Sequence, residues 1–408
     1  MPYKRLTSCV CCGSHQLRSC LDLGTQPLAN NLVSDPQTPI QEYELKTQVC
    51  ESCYHMQLTI SVQPDIMFDD YVYVSGTSQT LRDYFDWFAN WCNFLWPCHT
   101  CVLDIACNDG SQLNSFKRLG YQTLGVDPAK NLHAQSSQQH DVICAYFDHN
   151  VVSQLSDKHI DLIVAQNVLA HTPDPLSFLQ NCKHIMHDGS RLLVQTSQAH
   201  MILRNEFDTL YHEHVSYFSV HSMQALVARA GLQLINVYET PVHGTSYVFE
   251  IALQPQPESN VQDHLIREHV LGLTDPRTYN VWQQQAHKLL TELAQRCDIY
   301  TKAGYQVWGL GAAAKGITVL QAAQLNLQGV FDENPLKCHK WIPGVNCLVV
   351  PFTQIASLNP QTPCVFVCMA WNYLTELTHK VRELRQNGQD IMLTYFPEIQ
   401  ERAICVKP

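Results

Sequence analysis

The stretch Cys101-Val102-Leu103-Asp104-Ile105-Ala106-Cys107-Asn108-Asp109-Gly110-Ser111, followed by Thr123-Leu124-Gly125-Val126-Asp127, decides the fold. Its first six residues read as a buried strand and the next five as a turn. Leu113, Phe116 and Leu119 then mark the apolar stripe of a helix. The second run reads as another strand, ending in an acid 23 residues after Asp104. Strand, turn, helix, strand and terminal acid is the layout by which parallel α/β sheets bind adenosine, the acid accepting from ribose hydroxyls. A pyrophosphate loop wants Gly-x-Gly-x-x-Gly, and this turn has only Gly110. A ligand without pyrophosphate suits it better. S-adenosylmethionine is such a ligand, with its amino-acid end on the loop of Asp104, Cys107, Asn108 and Gly110 and its ribose on Asp127.

Outward from this core, short apolar runs alternate with helical stretches, which implies a parallel sheet covered by helices. Further strands are expected at 142–145, 160–165 and 191–195, with an antiparallel closing pair at 234–238 and 247–253. Asn167 and His171 follow the strand at 160–165, at the end of the sheet where such folds place their sites. Aromatic residues from Tyr71 to Trp91 have helical spacing from Leu81 onward and read mostly as core.

After the fifth strand comes Tyr211-His212-Glu213-His214-Val215-Ser216-Tyr217-Phe218-Ser219. Two imidazoles, a carboxylate and two phenols suit removal of a proton from carbon. Histidine titrates near neutrality, so His214 or His212 can act as the base. Tyr211 can donate to a developing oxyanion.

Gln254-Pro255-Gln256-Pro257 is the clearest linker. A helix over 280–300 follows, then a second α/β unit opening with Gly309-Leu310-Gly311-Ala312-Ala313-Ala314-Lys315-Gly316. Asp332 ends the next strand 23 residues after Gly309, a fair dinucleotide spacing. The same helix start can hold the diphosphate of a nucleotide-linked substrate.

Ahead of both units, Cys9-x2-Cys12 and Cys50-x2-Cys53 suit one tetrahedral zinc. Four thiolates close such a site, so the zinc is structural and carries no catalytic role. The expected class is therefore α/β: a small zinc-binding domain over 1–65, a Rossmann-like S-adenosylmethionine domain over 66–255, and a linker helix with a C-terminal Rossmann-like domain over 256–408.

Net charge of −11, with no basic run, argues against a nucleic acid partner. No run of about 18 apolar residues marks a membrane span, and the N-terminal residues lack the apolar core of a secretion signal. A cytoplasmic protein with reduced or metal-bound cysteines is expected. Composition leaves the oligomeric state open.

Taken together, these landmarks resemble the sugar C-methyltransferases typified by the tetronitrose 3-C-methyltransferase. The resemblance rests on the cysteine pairs, Pro27-Leu28-Ala29-Asn30, Tyr71-x-Tyr73-x-Ser75-Gly76-Thr77-Ser78 and the 104–110 loop. It continues through Asn167-Val-Leu-Ala-His171, the 211–219 run, Gly311-Ala-Ala-Ala-Lys315-Gly316, Pro343-Gly344 and Trp371-Asn372. It implies methylation at carbon 3 of a nucleoside-diphosphate 4-keto-6-deoxy sugar. Carried over, the base falls on His214, with Glu213 and Tyr211 beside it and His171 near the sugar's carbonyl. Tyr73 covers the substrate, and Lys315, Asp332 and Asn372 fall in its nucleotide-sugar domain. Ala106 stands where the family usually has Gly, Thr245 replaces a second Gly, and Val248 stands where Arg is common.

Three other readings compete. In the first, the methyl goes to oxygen or nitrogen of a related nucleotide sugar, which needs no carbon base. The Gly309–Asp332 spacing admits an NAD-dependent oxidoreductase, which leaves the Asp104–Asp127 unit without a purpose. A zinc-dependent binding module is disfavoured by the wealth of acid–base groups.

Overall fold

A computed structural model describes residues 2–68, 74–77, 79–197, 199–240 and 246–405. The chain forms two compact units. The first comprises residues 1–19, 48–200 and 213–275, and the second residues 20–47, 201–212 and 276–408.

The first unit is built on a seven-stranded sheet. Its order is Gln233–Thr240, Ser246–Ala252, Arg191–Ser197, Leu162–Gln166, Cys101–Ile105, Gln122–Val126, Asp141–Ile143. All neighbours are parallel except Ser246–Ala252, which runs antiparallel to both of its neighbours. Leu103, Ile105, Ile163, Ala165, Leu192 and Val194 pack in one apolar cluster. Val102, Leu162, Val164 and Leu193 pack in the other, against Phe88 and Ala89 of the helix Gln79–Leu95. Burial on both faces explains why these strands read as continuous apolar runs. The order reverses at Cys101–Ile105, and ligands of open α/β sheets bind beyond the carboxyl ends at such a switch point.

The cysteine-bearing segment belongs to this unit. Cys9, Cys11, Cys50 and Cys53 join the same apolar cluster as the sheet's inner face. The Arg229 guanidinium, at the end of the helix Val220–Arg229, donates to the Cys11 carbonyl. Gly13, at φ 81°, suits the left-handed turn beside it; a β-carbon there would stand 3.4 Å from the guanidinium carbon, an ordinary contact. The helix Val261–Val270, just past the proline-rich linker, also belongs here. Its fully buried Glu268 accepts the backbone N–H groups of Val220 and His221 and the His221 ring.

The second unit carries another seven-stranded sheet, ordered Trp341–Ile342, Cys347–Pro351, Val330–Asp332, Gln306–Leu310, Cys364–Cys368, Ile391–Thr394, Gln400–Ala403. The five central strands are parallel and the outer two antiparallel. The expected helix is present as Pro276–Lys302, burying Trp282, Ala286, Leu289, Leu293 and Cys297. Gly309 and Gly316 let this core close. A β-carbon on either would lie 2.6 Å or less from Met369.

Candidate active site

The loop after Cys101–Ile105 is held by its own acids. The Asn108 amide donates to Asp127 Oδ2 at 2.8 Å, and the Ala129 amide to Asp127 Oδ1 at 2.8 Å. Asp332 of the second unit repeats the arrangement, accepting from the Ala312 and Asn334 amides at 2.7 Å each. Each terminal acid thus fixes the turn that follows the neighbouring strand.

Ala106 and Asn108 sit at φ 62° and 53°, and Gly110 at φ 81° starts the helix Ser111–Arg118. Asn and Gly tolerate this left-handed region; alanine pays for it. Ser75 and Gly76 dock onto the loop, their amides donating to Asn108 Oδ1 at 2.9 Å and Asp109 Oδ2 at 3.0 Å. A β-carbon on Gly76 would fall 2.3 Å from Ser111 Oγ. Cys107 turns its thiol into the core, where a β-carbon on Gly125 would meet its sulfur at 2.7 Å. Tyr73 lies outside the described residues, as does Thr245.

Asp104 is buried, and its carboxyl is pushed well above the usual carboxylate range by burial and by the charges of Asp127 and Asp109. Burial also raises Asp127 against two backbone hydrogen bonds that lower it. A cation beside these acids would relieve that cost.

At the next strand end, Asn167 takes φ 56° and its amide donates to the Gln195 carbonyl at 2.8 Å. His171 closes the short helix Leu169–His171, and its ring meets that of His214 edge-on with centroids 4.7 Å apart. Burial holds the His171 imidazole down at about 4, partly offset by a hydrogen bond with the Glu213 backbone. It is neutral at physiological pH. Glu213 and His214 are themselves buried.

The strand Ser216–Tyr217 pairs antiparallel with Met56–Leu58, and the Leu58 amide donates to the Val215 carbonyl. His55 adds a hydrogen bond from its ring to Ser216 Oγ at 3.2 Å. The segment just past Cys53 therefore fixes the backbone beside His214.

Tyr211 and His212 belong by contacts to the second unit. His212 is buried on the Tyr43 carbonyl, 3.3 Å from its Nε2, and burial lowers its pKa to about 4. In the same unit Lys315 lies 5.0 Å over the Trp371 ring, a cation–π distance. Trp371 stacks on Phe396 at 4.0 Å and donates to Asp208 Oδ2 at 2.6 Å. Asn372 is exposed on the turn Trp371–Tyr373. Asp208 and Trp371 carry no local motif that sets them apart as a pair; Trp371 was legible only beside Asn372.

Residues 241–397 match the family described as C-methyltransferase C-terminal domain, residues 80–237 a methyltransferase domain family, and residues 9–68 a zinc binding domain family. C-methyltransferase NovU of Streptomyces niveus is 27% identical over 397 residues, spanning 94% of each chain. The chain is an S-adenosylmethionine-dependent C-methyltransferase.

Other similarities to this C-methyltransferase are partial. A ubiquinone biosynthesis O-methyltransferase of Rhodopseudomonas palustris (strain BisB18) is 33% identical over 101 residues, 23% of this chain and 39% of the relative. A magnesium protoporphyrin IX methyltransferase from Synechocystis PCC 6803, solved with bound SAM, is 13% identical, with a TM-score of 0.33 over 42% of this chain and 79% of that one.

Both cofactors suit the residues. The ligand atoms of Cys9, Cys12, Cys50 and Cys53 all lie within 4.8 Å of one another, with Cys9–Cys53 and Cys12–Cys50 sulfurs at 3.5 Å. Zinc–sulfur bonds of about 2.3 Å give tetrahedral edges of about 3.8 Å. For the methyl donor, Asp127 can take ribose hydroxyls, and the buried acids of the loop suit its positive charges.

Proposed function

We propose that this C-methyltransferase acts at carbon 3 of a nucleoside-diphosphate 4-keto-6-deoxy sugar, in the cytoplasm. The observation that carries the reading is the pairing of His214 with a neutral His171 beside the carboxyl ends of the methyltransferase sheet. In this reading His214 removes the proton next to the ketone, with Glu213 and Tyr211 shaping its surroundings. His171, uncharged, faces the carbonyl as a hydrogen-bond partner.

Asp104, Asn108, Gly110, Asp127 and Asn167, with the Cys107 backbone, hold S-adenosylmethionine, which supplies the methyl group. Methylation of carbon demands a base for a C–H proton, whereas an oxygen or nitrogen acceptor already carries a lone pair. Placing a base is therefore what the histidine pair explains. Lys315 and Asp332, with Asn372 and Tyr73, bind the nucleotide-linked sugar.

Incubating the enzyme with such a sugar nucleotide in deuterated water, without methyl donor, reads the base directly. Deuterium should enter carbon 3, and adding S-adenosylmethionine should give a one-methyl gain by mass spectrometry. Methylation without any exchange-competent carbon, on oxygen or nitrogen instead, would overturn the reading.

A further inference from the structure

Gln166, the last residue of Leu162–Gln166, and Gln195, two residues before the end of the neighbouring parallel strand Arg191–Ser197, stand opposite each other in register. Two residues upstream, Val164 and Leu193 lie in the cluster covered by the helix Gln79–Leu95. Side chains alternate faces along a strand, so both glutamines project from that same face.

The Gln195 amide is oriented. The Tyr84 hydroxyl donates to Gln195 Oε1 at 2.5 Å. Burial pushes the Tyr84 phenol up, so it remains a protonated donor. Gln195 is only 1% exposed. With Oε1 taken, its Nε2 faces away, and the Nε2 atoms of both Gln195 and Gln166 are shielded from solvent with no acceptor among the described residues. Native proteins seldom leave buried donors unmatched without a use for them. Two such donors on adjacent strands call for an oxygen acceptor.

Position selects which oxygen. Across the sheet the order is Gln122–Val126, then Cys101–Ile105, then Leu162–Gln166, then Arg191–Ser197. Asp127 and Asp104 lie at the first two strands. The glutamines lie at the next two, each strand about 4.8 Å further on. They share that strand end with Asn167, which bonds the Gln195 backbone, and with His171.

We propose that Gln166 and Gln195 together form the hydrogen-bond donor pair for the ketone oxygen of the acceptor sugar. The inference rests on the functional reading above. As the C–H bond breaks, its proton passes to the His214 imidazole, its electron pair forms the C3–C4 double bond, and the π pair of the carbonyl moves onto oxygen. The two carboxamide N–H groups meet the charge there, already in place and out of water. Tyr84 acts through Gln195 as a positioning residue, fixing which end of the amide faces the site.

The test compares wild type, Gln166→Leu, Gln195→Leu and Tyr84→Phe by three readouts. These are deuterium wash-in at carbon 3 of a 4-keto-6-deoxy sugar nucleotide, S-adenosylhomocysteine affinity by calorimetry, and thermal melting. Each leucine variant should lose about 10²-fold in exchange and kcat, with S-adenosylhomocysteine affinity within twofold of wild type. Tyr84→Phe should lose less. If Gln195→Leu does not fold, Gln166→Leu decides. Exchange unchanged in a folded leucine variant overturns the pair while the functional reading stands. A tenfold loss of S-adenosylhomocysteine affinity with intact exchange assigns the pair to the methyl donor and also overturns it. A wild type that binds S-adenosylhomocysteine yet exchanges no 4-keto sugar defeats the functional reading itself, and the ketone assignment with it.

Discussion

The ring of His214 meets that of His171 edge-on, centroids 4.7 Å apart and planes at 73°. Because burial keeps His171 neutral down to about pH 4, His214 can accept a proton without a second positive charge beside it. General-base assistance is worth roughly 10²–10⁴-fold, so His214→Ala should lose at least about 10²-fold in carbon-3 exchange. The acidic limb of the pH–rate profile should follow His214 and stay in place in His171→Asn, even as kcat falls. An acidic limb that shifts with His171→Asn would identify His171 as the titrating group instead.

Asp104 carries a carboxyl raised chiefly by burial, then by Asp127 and Asp109. A raised carboxyl is protonated over a wider pH range, whereas the cationic methyl donor favours the ionised form. Binding should therefore release protons. Affinity for S-adenosylmethionine should rise with pH, by up to tenfold per unit, until it levels above the raised value of the free enzyme. Calorimetry in buffers of different ionisation enthalpy measures the release, and Asp104→Asn should reduce it. Equal apparent enthalpies in all buffers would rule this coupling out.

Ala106 occupies φ 62° at an exposed position of the cofactor loop. An L-residue pays roughly 1–2 kcal/mol in the left-handed region, while glycine costs about 0.5–1 kcal/mol in extra unfolded-chain freedom. Ala106→Gly should thus stabilise the first unit by up to about 1.5 kcal/mol, readable by urea unfolding. A destabilised variant would show that the alanine methyl makes a contact worth more than the strain.

Gly76 gives a sharper test of the loop. Any side chain there would collide with Ser111 Oγ and Asp109 Oδ2, at 2.3 and 2.4 Å from its β-carbon. Gly76→Ala should detach the Ser75 and Gly76 amides from Asn108 and Asp109 and weaken S-adenosylhomocysteine binding about tenfold or more. The melting midpoint should barely move, because Ser75 and Gly76 are only half-buried. Unaltered affinity would separate this segment from the methyl-donor site.

What could be read from the sequence followed local periodicity and spacing. Strands such as Leu162–Gln166 are apolar because both faces are covered, and Asp127 and Asp332 announce themselves at strand ends. The cysteine pairs carry their metal geometry in their spacing. Register and long-range pairing leave no such trace. Nothing local tells that Gln166 faces Gln195, that His171 meets His214, or that His212 turns instead to the Tyr43 carbonyl. The left-handed turn at Ala106 is likewise invisible in an alanine, and the polar helix Val261–Val270 is anchored by one buried glutamate that composition does not flag.

Read from spacing, the four-cysteine site is purely structural, yet Met56–Leu58 follows Cys53 directly and pairs with Ser216–Tyr217, two residues past His214. The Leu58 amide holds the Val215 carbonyl, and His55 holds Ser216. Loss of the metal frees four thiolates that share one small volume, and the strand they anchor should loosen with them. Chelation should therefore lower kcat for methylation together with the melting midpoint, while S-adenosylhomocysteine, which we propose binds at the Asp104 and Asp127 strands, should keep most of its affinity. Ser216→Ala, which removes only the His55 bond, should reproduce a mild form of the kcat loss with zinc still bound by atomic absorption. A metal-depleted enzyme that remains folded and turns over at the native rate would show that the zinc segment does not position His214.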